Sequence, residues 1–205
     1  MSAAAYPVRS ARTALVPALV RPDARVAGLL VDAALVVVGV VLVALSAQVS
    51  IPLGFTPVPV TGQTFAALLV GGAYGAGRGL TTMAAYLLVG GLGAPVFAEH
   101  ASGWGILSAP TAGYLAGMLL AAGVVGWAAE HGWDRRLTTS LVAMVVGSVV
   151  IYALGLLWLG HALGTSFHDT WVLGAQPFLL GDTLKLALAA GVLPSAWKLV
   201  ATVRR

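Results

Sequence analysis

Two opposite charges lie three residues apart in an otherwise apolar segment near the end of the chain, at Asp182 and Lys185. On a helix, residues i and i+3 share a face, so both side chains can reach one small volume. A charge near the middle of a membrane span costs roughly 2.5–3.5 kcal/mol on insertion scales. In a chain with only 9% charged residues, such a pair predicts either a structural ion pair or a ligand site.

The residue types alone leave both interpretations open. In the structural one, Asp182 stabilises the positive end of its helix, and Lys185 pairs with it or extends to the lipid headgroups. In the functional one, the pair forms a ligand site in the outer half of a membrane bundle. A carboxylate only accepts hydrogen bonds and an ammonium only donates them. Together they suit a neutral head that offers both N–H and C=O, or one end of a zwitterion.

The composition predicts an all-α integral membrane protein. Of the 205 residues 59% are hydrophobic, and the mean hydropathy is +0.94, whereas soluble domains carry about 25% charged residues. The absence of cysteine excludes disulfides and thiolate metal sites. The basic residues are not interleaved with aromatic residues on one polar face, so nucleic-acid binding is not expected. The lipid bilayer is the expected surroundings.

Apolar runs of span length predict a six-helix transmembrane bundle, residues 26–205, after a cytoplasmic tail, residues 1–25. Ten of the eleven Lys and Arg residues fall in the tail, in alternate connections or at the chain end, which predicts cytoplasmic termini. Lys185 is the exception. Residues 160–174 are expected to form a loop. The expected spans are approximately 28–49, 62–77, 80–96, 110–130, 137–159 and 178–200.

The connection after the first span is apolar yet rich in proline. Pro52, Pro57 and Pro59 fix φ and remove backbone donors, so this stretch is not continuous helix. An apolar, non-helical segment is best placed over the bundle as a lid. We therefore predict an extracellular gate that includes Pro57, Val58 and Pro59.

Several polar and aromatic side chains are candidates for the same cavity, although Tyr and Trp are also normal at membrane interfaces. The acidic and histidine residues of the outer loops lack tight ligand spacing, so no metal site is predicted. No HExxH, GxSxG or Walker A motif is present. The chain is thus not expected to be an enzyme, and ATP-driven uptake would need an ATPase on another chain. The cavity candidates are Thr61, Gln63, Tyr86, Trp104, Tyr114 and Tyr152.

Glycines spaced four apart predict close helix packing. Gly71 and Gly75 form one such pair, and Gly113 and Gly117 form another. Small residues at this spacing allow two helix backbones to approach each other within a membrane.

The motifs together resemble the BioY family, the biotin-specific substrate-binding (S) subunits of energy-coupling-factor (ECF) transporters. The similarity covers about residues 26–199. It rests on the order and spacing of several runs rather than on any one of them. These runs are Pro-Val-Pro-Val-Thr-Gly-Gln from Pro57, Pro-Val-Phe-Ala from Pro95, Pro-Thr-Ala-Gly-Tyr from Pro110, and Gly-Asp-Thr-Leu-Lys from Gly181.

The resemblance implies high-affinity biotin binding and uptake at the cytoplasmic membrane, with a membrane coupling subunit and two ABC-type ATPases as partners. Biotin is then substrate, and no cofactor is expected. Asp182 and Lys185 would contact the ureido ring, and Gln63, Thr61 or backbone N–H groups would meet the valerate carboxylate. Phe97, Trp104, Tyr114 and Tyr86 complete the expected contacts.

Two further functional hypotheses remain open, a stand-alone secondary carrier or facilitator for biotin or a related vitamin, and a purely structural membrane subunit. For docking on the coupling subunit, the resemblance implies an Ala-x-x-x-Ala face on the first span. Here a smooth face of Gly39, Val40, Ala44 and Ala47 is the expected substitute.

Overall fold

The structure, a computed structural model, describes residues 13–19 and 25–203. It is mostly helical, as the composition predicts. Six helices form the body of the fold, and a short helix precedes them and another lies before the last. The helices are α1 (Leu15–Leu19), α2 (Arg25–Gln48), α3 (Gln63–Tyr74), α4 (Ala76–Gly91), α5 (Ala112–Glu130), α6 (Leu137–Leu163), α7 (Phe167–Gly174) and α8 (Leu179–Val203).

Helix α5 is the centre of the bundle. It packs against α3, α4 and α6, and 67% of its most apolar window is buried, compared with 11% for α2. Its sequence is apolar all round, which is the pattern of a helix with neighbours on every side. The residues of α5 near its start therefore face the interior and are available to line a cavity.

Four helices, α2, α5, α6 and α8, are long and apolar enough to cross a membrane. Helices α3 and α4 have 12 and 16 residues, so at ~1.5 Å per residue they are shorter than the ~30 Å hydrocarbon core. Their ends leave room for the irregular segments that follow α2 and α4. The short irregular pieces include three 3₁₀ turns, Ala98–His100, Trp104–Leu107 and Trp133–Arg135.

The predicted close approach at glycine is confirmed in three of the four positions. A Cβ at Gly71 would lie within 3 Å of the Ala122 backbone, and one at Gly117 would meet the backbone of Ile151. A Cβ at Gly113 would also lie within 3 Å of the Leu154 carbonyl oxygen. Gly75 is different: it forms the corner between α3 and α4 with φ of +86°, a conformation that favours glycine.

One expected segment was wrong, and part of another can be described. The segment 160–174 is not a loop, because α6 continues to Leu163 and α7 occupies most of the remainder. Within the predicted tail, Leu15–Leu19 is helical and packs against α3 and α8 with Leu15 and Ala18 buried. The rest of that tail, residues 1–12 and 20–24, lies outside the described residues.

The proline-rich connection is non-helical, as predicted. Two short strands, β1 (Ser50–Ile51) and β2 (Val60–Thr61), pair antiparallel at its ends. The ladder returns the chain to the start of α3 and leaves residues 52–59 as a loop across the end of the bundle. We call residues 52–59 the gate loop.

The smooth face expected on α2 for docking points into the bundle. Gly39 packs against Thr82 and Tyr74 of neighbouring helices, and Ala47 is fully buried. Val40 and Ala44 also pack against the core. This prediction was wrong because the small residues allow α2 to approach α3 and α4 closely. Small residues at a docking surface would give the same sequence pattern.

Helix α8 carries the charge pair, and its far end is held by a polar contact. The Trp197 indole N–H donates to the Asp134 carboxylate, and the Arg135 guanidinium lies 4.7 Å from the centre of the Trp197 ring. Together with the packing of α8 on α3 and α6, this contact fixes the position of the helix that presents Asp182 and Lys185.

Candidate ligand-binding cavity

A cavity of about 200 Å³ opens at the end of the bundle beneath the gate loop. Its wall is drawn from five separate stretches of the chain, so only the folded bundle creates it. Most of the wall is apolar, with polar groups on α3, α5, α6 and α8 and on the segments between helices, as is usual for small-molecule sites. The lining residues are Pro57, Val58, Pro59, Thr61, Gln63, Thr64, Phe97, Ala98, Glu99, Ala101, Ile106, Thr111, Tyr114, Leu115, Met118, Ile151, Tyr152, Phe178, Asp182 and Lys185.

The charge pair lies in the cavity wall. The Lys185 ammonium donates to Asp182 Oδ1 at 2.8 Å and to the Thr61 carbonyl at 2.7 Å. The side chains are 23% and 13% exposed, so Lys185 does not extend to the surface. The snorkelling alternative therefore does not describe this lysine. Two of its three N–H donors are used, which leaves one for a ligand.

Tyr152 of α6 completes the surroundings of Asp182. Its hydroxyl donates to Asp182 Oδ2 at 2.6 Å, so each carboxylate oxygen has one protein partner. The Tyr152 ring also contacts Tyr114 edge to face, with ring centres 6.4 Å apart. The Tyr114 hydroxyl donates to the Gly174 carbonyl at 2.8 Å. Each carboxylate oxygen retains lone-pair capacity, so Asp182 can still accept an N–H from a ligand.

Tyr86 lies behind the cavity wall rather than in it, contrary to the prediction. It is fully buried, accepts a hydrogen bond from Gln63 Nε2 at 2.6 Å and donates to the Val96 carbonyl at 3.0 Å. Its ring packs edge to face on Phe97, which does line the cavity. Tyr86 thus supports two wall residues, and its hydroxyl is used within the protein.

Trp104 is also absent from the cavity wall. Its ring packs over Gly91 at the end of α4, and half of the side chain is exposed. Aromatic residues at such a level are typical of the membrane interface. Trp104 was predicted to line the cavity because it lies in an unusual loop. Other residues of that loop line the cavity instead.

The predicted gate residues Pro57, Val58 and Pro59 all line the cavity. Val58 is buried, and its backbone N–H donates to the Thr56 hydroxyl. That hydroxyl in turn donates to the Leu173 carbonyl of α7 at 2.8 Å. The gate loop is therefore attached to α7 by one side-chain bond, and its return strand is attached to α8 through Lys185 and Thr61.

Much of the apolar wall contributed by the long helices was not singled out from the sequence. Met118, Ile151 and Phe178 line the cavity, but nothing distinguishes them from apolar residues that face lipid. Gln48 was also missed as a support: its Nε2 donates to the Phe97 carbonyl at 3.1 Å. The described residues contain no cluster of three or more His, Cys, Asp or Glu suited to a metal ion.

A model of the BioY family matches residues 18–202 of this chain. This chain belongs to the BioY family. The relatives it resembles include the biotin transporter BioY of Rhizobium etli, 36% identical over 73% of this chain and 83% of that protein. The biotin transporter BioY of Thermotoga maritima is 38% identical over 73% of this chain and 85% of its own length.

The fold also matches a solved structure. The crystal structure of the S-component for biotin from an ECF-type ABC transporter superposes with a TM-score of 0.71 at 20% identity. The match covers 87% of this chain and 95% of the other. Membership in a transporter family agrees with the prediction that the chain is not an enzyme, and with four span-length apolar helices it indicates a multi-pass membrane protein.

Proposed function

We propose that this BioY member binds biotin with high affinity in the cavity beneath the gate loop and is the substrate-specific component of an ECF transporter. The observation that carries the proposal is the Asp182–Lys185 pair in the cavity wall, at 2.8 Å. The ureido ring of biotin has two N–H donors and one carbonyl acceptor. A carboxylate and an ammonium supply the complementary groups, and the apolar wall suits the thioether ring and the hydrocarbon tail.

The proposed orientation places the cavity outside the cell, with six spans in the cytoplasmic membrane and both termini in the cytoplasm. Arg78 lies in the first turn of α4, and Arg135 and Arg136 lie in the connection between α5 and α6. Both positions are at the end of the bundle opposite the gate loop. The positive-inside rule places such connections in the cytoplasm. Biotin then enters from outside, and the gate loop covers it.

The proposed partners are a transmembrane coupling subunit and two ABC-type ATPases. This proposal is supported by the relatives named biotin transporters and by the solved S-component of an ECF-type ABC transporter. Uptake driven by ATP requires those partners, since the chain carries no Walker A motif. A stand-alone carrier would instead move biotin without them.

Purified full-length protein tests the binding, and vesicles test the transport mode. Calorimetry should give tight, stoichiometric biotin binding. Vesicles that contain this chain alone should not accumulate biotin, with or without an imposed ion gradient, whereas addition of the coupling subunit and ATPases with ATP should restore uptake. Gradient-driven uptake by the chain alone would support the secondary carrier, and no vitamin binding at all would support the structural subunit.

Thr56→Val should accelerate biotin release. The substitution keeps the shape of the side chain but removes the bond from the gate loop to the Leu173 carbonyl of α7. A neutral hydrogen bond contributes about 0.5–1.5 kcal/mol, which corresponds to roughly a two- to tenfold change in rate. We expect the dissociation rate to rise by that factor, as measured by chase of labelled biotin with excess unlabelled biotin.

Thr81→Val is the matched control for this prediction. Its hydroxyl donates to the Gly77 carbonyl within α4, far from the gate loop in sequence, and the bond is exposed. Biotin dissociation should keep the wild-type rate in this variant. Equal rates in the Thr56 variant and the wild type would show that the bond to α7 does not hold the gate loop over the ligand.

A further inference from the structure

The charges around the cavity do not favour an anionic ligand tail. Among the described residues that line it, Asp182, Lys185 and Glu99 are the charged side chains. Lys185 is already paired with Asp182 at 2.8 Å, so the two charges largely offset each other. The remaining charge is the carboxylate of Glu99, and it has the same sign as the carboxylate of free biotin.

Glu99 lies where the tail of a bound ligand ends. Asp182 and Lys185, which suit the ureido head, are part-buried in the wall, whereas Glu99 is exposed at the mouth of the cavity. Its side chain makes no hydrogen bond or ion pair to any described residue. Biotin has a five-carbon tail opposite the ureido ring, so a head seated on the charge pair directs the tail toward the mouth.

The backbone holds Glu99 in an unusual position. Glu99 and His100 have φ of 58° and 59°, in the left-handed region that non-glycine residues rarely adopt. The turn is closed by the Phe97 and Ala101 amides, which donate to the Ala101 and Ala98 carbonyls. A conformation of this kind persists only where surrounding contacts fix it.

The side chains expected to receive a tail carboxylate are uncharged, and they are partly used within the protein. Gln63 Nε2 donates to the Tyr86 hydroxyl at 2.6 Å, and the Thr61 hydroxyl donates to Gln63 Oε1 at 3.3 Å. The Thr111 hydroxyl lines the cavity and has no hydrogen-bond partner among the described residues. Among the described lining residues, the tail thus meets neutral donors, the second N–H of Gln63 and the Thr111 hydroxyl, and the acceptor carboxylate of Glu99, but no unpaired cation.

We propose that the cavity takes biotin compounds whose tail carboxyl is joined to an amine as an amide, at least as readily as free biotin, and that Glu99 determines this preference. The inference rests on the proposed biotin-binding function. An amide tail removes the negative charge, presents an N–H that a carboxylate accepts, and presents a carbonyl that a hydroxyl meets. A tail that ends in an ammonium is attracted to Glu99 directly.

Three ligands with the same head group test the effect of the tail charge on affinity. They are biotin, biotinamide and N-(2-aminoethyl)biotinamide. Their tails are anionic, neutral and cationic at pH 7. Dissociation constants are measured by calorimetry on full-length wild-type protein and on Glu99→Gln. Asp169→Asn is the control, because Asp169 is an exposed carboxylate on α7 that does not line the cavity.

Wild-type protein should bind biotinamide at least as tightly as biotin, and the aminoethyl amide more tightly than either. Exposed charge pairs are worth about 0.2–1 kcal/mol, or roughly 1.4- to fivefold in affinity. Glu99→Gln should therefore raise the affinity for biotin and lower the affinity for the aminoethyl amide by factors in that range. The affinity for biotinamide should stay nearly unchanged. Both effects should shrink in 0.5 M salt because exposed charges are screened, and Asp169→Asn should reproduce neither.

The outcomes distinguish this inference from the function beneath it. Two results would overturn this inference and leave the proposed function intact. One is tight binding of biotin with no binding of biotinamide. The other is that the relative affinities for the three ligands are the same in Glu99→Gln as in the wild type. Equal changes in the Asp169 control would also overturn it, since the effect would then belong to the whole surface. Binding of none of the three ligands would overturn the proposed function and this inference together.

Discussion

Lys185→Met should weaken biotin binding by at least about tenfold. The ammonium is the cation of the cavity wall and bonds both Asp182 Oδ1 and the Thr61 carbonyl. Its loss removes a charged donor to the ureido carbonyl, and hydrogen bonds to charged groups contribute about 1.5–3 kcal/mol. It also frees the return strand of the gate loop from α8. Calorimetry on the purified variant should show the lower affinity.

Asp182→Asn should produce a loss of similar size by a different route. The amide keeps the shape of the side chain but replaces one acceptor oxygen by a donor, which then faces either Lys185 or the Tyr152 hydroxyl. The ligand N–H groups lose a charged acceptor at the same time. The pair is only part-buried, so the free energy of unfolding should fall less than the full cost of breaking a buried pair, about 3–5 kcal/mol.

The matched control uses another ion pair of the described chain. Arg78 and Asp32 lie 2.6 Å apart, and neither residue lines the cavity. Arg78→Met and Asp32→Asn therefore repeat the same chemical changes away from the ligand. Both should keep wild-type biotin affinity. If the Lys185 and Asp182 variants also bound biotin normally, the ligand site assigned to this pair would be wrong.

Gly117→Val should destabilise the bundle by about 2 kcal/mol or more. A Cβ at this position would lie 2.8 Å from the Ile151 Cα and 2.9 Å from its carbonyl oxygen, so helix backbones rather than flexible side chains must move. Overpacking of well-filled interiors typically costs 1–3 kcal/mol. The affected contact joins α5 to α6, and both helices line the cavity. Thermal unfolding in one detergent measures the change.

Gly77→Val provides the comparison for that substitution. Gly77 is an exposed glycine in helix α4, and a Cβ added there would meet nothing within 4 Å. The same side chain should change the unfolding free energy by no more than about 0.5 kcal/mol, as is usual at open surface positions. Equal unfolding temperatures for the two variants would show that α5 and α6 do not depend on the glycine contact.

Most of the framework follows from local sequence rules. Each predicted span overlaps a helix of the described chain, and four of these helices are long and apolar enough to cross a membrane. The reason is that only a helix satisfies its own backbone in a long apolar segment. Prolines at 52, 57 and 59 excluded helix from the gate loop. The end of α6 was predicted too early, at Leu159, because the helix continues past Gly160 and is capped by Gly164, which has φ of +63°.

The charged pair and the proline-rich loop were the parts of the cavity wall that stood out most clearly in the sequence. Asp182 and Lys185 stood out because charge is rare in this chain, and their i, i+3 spacing fixed their common face. Tyr86 and Trp104 were assigned to the cavity on their chemical type, yet one supports the wall from behind and the other packs over Gly91. The sequence does not distinguish a tyrosine or tryptophan that lines the cavity from one that lies behind its wall or on the surface of the bundle.

The sequence by itself determined that the chain is a membrane helix bundle with one polar pair in its last long helix and a proline-rich loop over one end. Only the tertiary structure decided which apolar residues line the cavity, which face of α2 is buried, and that Glu99 lies at the mouth. The physical reason is that lipid is as apolar as the protein interior. The sequence of a membrane helix therefore gives little indication of which face is buried in the bundle.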